Sequence, residues 1–142
     1  MISRKLIEEL AGKYQTIEIN IAREYCQHLF LSNLYQMKKS ERILFKGGTA
    51  LRVMYQSPRF SEDLDFSCSG VKIKDIEDLL LRNVIEIEKS EIGVEILESK
   101  STSGGYLGKL YFRFFDFEET IRIEGSFCVS WGQISTFYIT DL

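Results

Sequence analysis

The sequence predicts an α+β fold: a mixed β-sheet flanked by helices, with a helical N-terminus and a β-rich second half. Three observations predict it. Up to about residue 38, apolar residues recur three and four apart, the period of a buried helical face. From Gly93 onward, short apolar or alternating runs are separated by turn residues. Between these regions strand-like and helical stretches interleave, giving helix, helix, strand, helix, strand, helix and then three strands.

The first helix is expected over residues 3–13, with Ser3 as N-cap and Gly12 near its end. A longer helix is expected over 16–38. Its buried positions are Ile17, Ile21, Tyr25 and Leu29, with Ile19, Cys26, Phe30, Leu34 and Met37. Arg42-Ile43-Leu44-Phe45 reads as a short strand running into Lys46-Gly47-Gly48-Thr49. A helical pattern resumes at Ala50 and is broken at Ser57-Pro58, because the residue before proline avoids the helical region. Residues 62–68 alternate strictly and read as a strand, ended by Gly70. A helix follows over 72–89, burying Ile73, Ile76, Leu79, Leu80, Val84 and Ile87. Strands are expected over 93–98, 107–115 and 120–127, with turns at Ser103-Gly104-Gly105 and at residues 116–119.

A chain of 142 residues with one proline, no repeat and no flexible linker suits a single domain, expected to span residues 1–142. Apolar residues make up 44% and charged residues 27%, which excludes a disordered chain. The net charge of −3 runs against a strongly basic nucleic-acid binder, so any contact with nucleic acid would need a local patch, or positive charge from a second subunit or a further segment. The three cysteines (Cys26, Cys68 and Cys128) form no C-x-x-C pair, and the single His28 excludes a histidine-rich zinc site. They read as reduced thiols packed as small apolar groups, which fits a cytoplasmic protein. No stretch approaches the roughly 20 apolar residues of a membrane span. Residues 133–142 carry no stop signal, as expected of a chain that continues into a larger architecture.

A strand that stops at Gly47-Gly48 and restarts as a helix has chemical consequences. Glycines let a ligand approach the main chain, and the helix start presents unpaired N–H groups with a positive dipole end. Together these bind phosphate. Thr49 could add a hydroxyl donor. Lys46 either steadies the phosphates or is a plain exposed lysine. The Walker A and dinucleotide-binding glycine patterns are both absent. Taken alone, the glycines also describe a simple strand-to-helix turn.

The second signal is Asp63-Leu64-Asp65. On a strand, Asp63, Asp65 and Ser67 share one face and Leu64, Phe66 and Cys68 the other. Two carboxylates roughly 6.5–7 Å apart at Cα repel unless water or a cation separates them. Mg²⁺ suits them, because it takes oxygen ligands and commonly combines one or two carboxylates with substrate phosphates. One short helix separates the phosphate cradle from this pair, so both could face one pocket. A third carboxylate is available at Glu124, which shares a face with Arg122 in the strand over 120–127. If that strand lies beside the acidic one, Glu124 could reach the metal. The alternative is an Arg122–Glu124 pair on a solvated face.

The run Phe45-Lys46-Gly47-Gly48-Thr49-Ala50-Leu51, followed by Ser57-Pro58-Arg59-Phe60-Ser61-Glu62-Asp63-Leu64-Asp65-Phe66, resembles the AbiEii toxin-like nucleotidyltransferases, within the polymerase-beta-like nucleotidyltransferase superfamily. The resemblance is dense over about residues 42–68. It implies a nucleotidyltransferase-type mixed sheet and transfer of a nucleotide from a nucleoside triphosphate, with Mg²⁺, to an acceptor hydroxyl such as a tRNA 3′ end. It implies that Gly47, Gly48 and Thr49 hold the triphosphate and that Asp63 and Asp65 hold the metal. Arg59 and Ser61 belong to the same signature, as phosphate or strand-positioning groups. It also implies a cognate antitoxin as partner, and no membrane. Complete members carry two later motifs, one with a lysine and one with an acidic residue, that are not found here. The alternative is therefore a truncated nucleotide-binding or antitoxin-interacting domain without turnover.

Overall fold

The computed structural model describes residues 1–127. Cys128 and residues 133–142 lie outside the described residues. Among the described residues there are four α-helices: α1 (Arg4–Lys13), α2 (Glu18–Leu34), α3 (Gly47–Tyr55) and α4 (Ile73–Glu88). Five strands accompany them: β1 (Ile43–Lys46), β2 (Leu64–Cys68), β3 (Gly93–Thr102), β4 (Gly105–Phe114) and β5 (Phe117–Phe127). They form one mixed sheet in the order β1-β2-β5-β4-β3. The fold class and element order expected from the sequence are both present.

Local chemistry sets the boundaries. The Ser3 side chain accepts from the Leu6 amide and caps α1, which runs through Gly12 rather than stopping there. α2 is shorter than its apolar pattern, and Ile17 is the residue before it, 65% exposed instead of buried. α3 starts at Gly47, so the glycines form its first turn rather than a loop ahead of it. It ends at Tyr55, where Gln56 takes a left-handed φ of 53° before proline can act. The acidic strand begins at Leu64, leaving Asp63 one residue ahead of it.

Strands β3, β4 and β5 are an antiparallel meander joined by tight turns. β5 then pairs with β2 in parallel, and β2 with β1 antiparallel. Helices α2 and α4 cover one sheet face, where Leu64, Phe66, Leu110, Phe112, Ile121 and Ile123 are buried. Asn83, fully buried on α4, donates to the Phe30 carbonyl at 2.9 Å and ties the two helices together. Cys26 and Cys68 are buried thiols in this core, and burial pushes the Cys26 pKa up.

Ile121 is 1% exposed on the central strand of the sheet. Truncation to alanine leaves a cavity between sheet and helices. Ile121→Ala is expected to cost about 2–5 kcal/mol, measured by urea unfolding.

Candidate metal and nucleotide site

The sheet face opposite the helices α2 and α4 gathers the charged residues. β2 is paired on both sides, and its neighbours at Asp65 are Lys46 on β1 and Glu124 on β5. Cross-strand partners project to the same face. Lys46, Asp65 and Glu124 therefore stand in a row across three strands, with Asp63 at the mouth of β2. The parallel β2–β5 pairing is what brings in Glu124. The strand adjacency on which Glu124 depended is present, since it sits beside Asp65, and its carboxylate also pairs with Arg122 Nε at 2.6 Å.

The electrostatics of the row follow from this crowding. Partial burial, then the Glu124 charge, then Asp63, raise the Asp65 pKa above its ordinary value, and Lys46 offsets part of the effect. Desolvation and Glu124 likewise raise Asp63, opposed by Arg122 and Arg23. Among the described residues, no three His, Cys, Asp or Glu side chains already enclose a metal position. An Mg²⁺ site of the open kind needs no such cage, because waters and phosphates complete it. The donor set fits: hard carboxylate oxygens, mutually repelling, at a partly enclosed edge of the sheet.

The glycine turn abuts this row. Gly47 has φ +83°, and a Cβ there would lie 2.8 Å from Asp65 Oδ2. The start of α3 is thus pressed directly against the carboxylate. Gly48 faces the Ser61 side chain, which a Cβ would meet at 3.5 Å. The amides of the first α3 turn and the carboxylates consequently share one edge.

Three further side chains complete the surroundings of this turn. Thr49 is 1% exposed and its hydroxyl donates to the Asp63 carbonyl, so the side chain fastens α3 to the acidic segment. Ser67, two residues after Asp65 on β2, is buried. Arg59 is exposed and has no hydrogen bond or ion pair among the described residues. Holding this loop falls to Arg52, which the sequence reading passed over. Its guanidinium bonds the Ser57 carbonyl at 2.7 Å, pairs with Glu24 at 2.9 Å and stacks 4.0 Å from the Phe60 ring centre. Gln27 on α2 was also missed, and it donates to the Ser61 and Glu62 carbonyls. Its position three residues before Phe30 and six after Ile21 places it on the buried side of α2, the only signal the helical period offers.

Comparison with known proteins bears on this arrangement. The family model for the nucleotidyl transferase AbiEii toxin of the type IV toxin–antitoxin system matches residues 29–131. No curated protein matches. The crystal structure of JHP933 from Helicobacter pylori superposes with a TM-score of 0.55 and 27% identity, over 76% of this chain and 44% of that one. A second H. pylori structure, assigned provisionally as a nucleotidyltransferase, gives 0.53 and 28%, over 75% and 44%. The chain spans less than half the length of either structure.

Proposed function

The chain belongs to the AbiEii nucleotidyl transferase toxin family, and from that premise we propose that it is an Mg²⁺-dependent nucleotidyltransferase. It would move a nucleotide from a nucleoside triphosphate to an acceptor hydroxyl, with a tRNA 3′ end as the favoured acceptor. The observation that carries the reading is the contact between the start of α3 and the carboxylate row, with Gly47 packed on Asp65. Phosphate-binding amides and metal-binding carboxylates at one edge are the equipment of this reaction class.

In this reading the backbone N–H groups of Gly47, Gly48 and Thr49 hold the triphosphate, and Lys46 adds positive charge beside it. Asp63 and Asp65 hold the metal, and Glu124, anchored by Arg122, completes the carboxylate set. Mg²⁺, when bound, supplies charge neutralisation, alignment of the attacking and leaving oxygens, and a lower pKa for the acceptor hydroxyl. The acceptor hydroxyl gives up its proton to solvent, its oxygen bonds to the α-phosphorus, the α–β phosphoanhydride bond breaks, and pyrophosphate leaves. No covalent enzyme intermediate is required. A cognate antitoxin is the expected protein partner and the cytoplasm the expected compartment. No helix among the described residues is long and apolar enough to cross a membrane.

The test is transfer of label from each α-labelled nucleoside triphosphate, with Mg²⁺, to total tRNA. Label on tRNA that disappears with EDTA and in Asp65→Ala is the expected result. Triphosphate binding that depends on Asp65, with no transfer to any RNA, would instead establish a binding domain without turnover. Binding unaffected by Asp65→Ala would refute the site.

A further inference from the structure

The segment leading into Asp63 has no regular structure from residue 56 to residue 63. Its backbone groups find no ladder or helix partners, so side chains must fix it. Three consecutive carbonyls in it are each taken by a side-chain donor. Gln27 Nε2 donates to Ser61 at 2.9 Å and to Glu62 at 3.3 Å, and the Thr49 hydroxyl to Asp63. One turn before Gln27 on α2, Glu24 grips Arg52, which holds the other end of the segment through Ser57 and Phe60.

From this we infer that Gln27 is a positioning residue, setting Asp63 and Ser61 from a helix that contributes no group to the carboxylate row. The inference rests on the reading of Asp63 and Asp65 as metal ligands. Gln27 is 2% exposed, and a buried amide is tolerated only where its hydrogen bonds are met. Here they are met by the two residues immediately before the first carboxylate. The same amide holds Ser61, whose side chain lies against Gly48. One side chain on α2 thereby sets both the distance of the acidic segment from α3 and the starting point of Asp63. A glutamine that only filled core volume would have no reason to select these carbonyls.

The experiment compares Mn²⁺ binding, followed by water-proton relaxation, in the unaltered chain, Gln27→Met, Ile121→Ala and Asp65→Ala. Gln27→Met keeps the volume and removes both donors. It is expected to weaken Mn²⁺ binding about tenfold, the scale for residues that orient metal ligands. It is also expected to speed amide exchange over residues 61–64. Ile121→Ala, which lowers stability through the core, is expected to keep Mn²⁺ affinity within about twofold, because no ligand is moved. Unchanged Mn²⁺ affinity in Gln27→Met, with binding lost in Asp65→Ala, overturns the positioning role and leaves the metal site standing. Unchanged binding in Asp65→Ala removes the metal site, and the inference with it. Equal weakening in Gln27→Met and Ile121→Ala reduces Gln27 to a stability residue. Should Gln27→Met not fold, Gln27→Asn keeps the amide but shortens its reach, and the same order of affinities is required of it.

Discussion

Asp65→Asn is expected to abolish nucleotidyl transfer while raising the thermal stability of the metal-free protein. The two effects share one cause. Asp65 stands beside Glu124 in the β2–β5 register and close to Asp63, and its pKa is raised by partial burial first and by those two charges next. A carboxyl group whose folded pKa exceeds its unfolded value contributes fully below the unfolded pKa. That contribution is lost as pH rises through the folded value. At neutral pH the ionised group therefore opposes folding until a cation offsets it. Asparagine keeps the shape and removes the charge. The melting temperature without metal should rise by about 2 °C or more at neutral pH, read by calorimetry at low salt. As pH rises above the ordinary carboxylate value of about 4, the Asp65 contribution to stability should be lost, be restored by Mg²⁺, and be absent from the variant. Transfer should fall about 10³-fold or more, because a metal ligand stabilises charge that develops in the transition state. A variant that is less stable without metal and still active would contradict both halves.

Local signals in the sequence were enough for the elements and for half the site. Helical and strand periods stand in single stretches of chain, so the element order could be read directly. The Gly47-Gly48 turn and Asp63-x-Asp65 are short-range patterns and were legible for the same reason. Glu124 was legible only as a condition. Whether β5 lies beside β2 is a long-range pairing between residues some sixty positions apart, and nothing local to either strand encodes it. The supporting residues were hidden by the same limit. Gln27, Glu24 and Arg52 act on carbonyls distant in sequence, and a polar residue within a helical pattern reads as solvent-facing until the packing is known. The bond from the Thr49 hydroxyl to the Asp63 carbonyl was hidden too, because it joins residues fourteen positions apart. Ile17 and the early helix end show the converse. An apolar period can outlast the helix, since the period marks only which positions would be buried if a helix formed there.

Gly47→Ala is expected to be far more damaging than Gly48→Ala, although the sequence presents the two glycines as equals. At Gly47 two penalties coincide. Its φ of +83° is open to glycine and costs an L-residue about 1–2 kcal/mol. Its added Cβ would also meet Asp65 Oδ2 at 2.8 Å, with the Asp65 Cβ and Cγ at 3.3 and 3.4 Å. The Asp65 backbone cannot retreat, because β2 is hydrogen-bonded to β1 on one side and β5 on the other. Relief must come from rotating the carboxylate out of its place in the row or from lifting the first turn of α3. Either motion separates the amides of the first α3 turn from the carboxylate row. A displacement of about 1 Å is enough for a 10²-fold loss of transfer. At Gly48 the nearest atom is Ser61 Oγ at 3.5 Å, an ordinary contact, and φ is not in the left-handed range. Gly48→Ala should therefore keep transfer within about tenfold, since neither strain nor displacement is imposed. Steady-state transfer and Mn²⁺ affinity of the two variants decide the matter. Equal loss in both would mean that the close approach of phosphate to the backbone governs this turn, and that the contact between Gly47 and Asp65 does not.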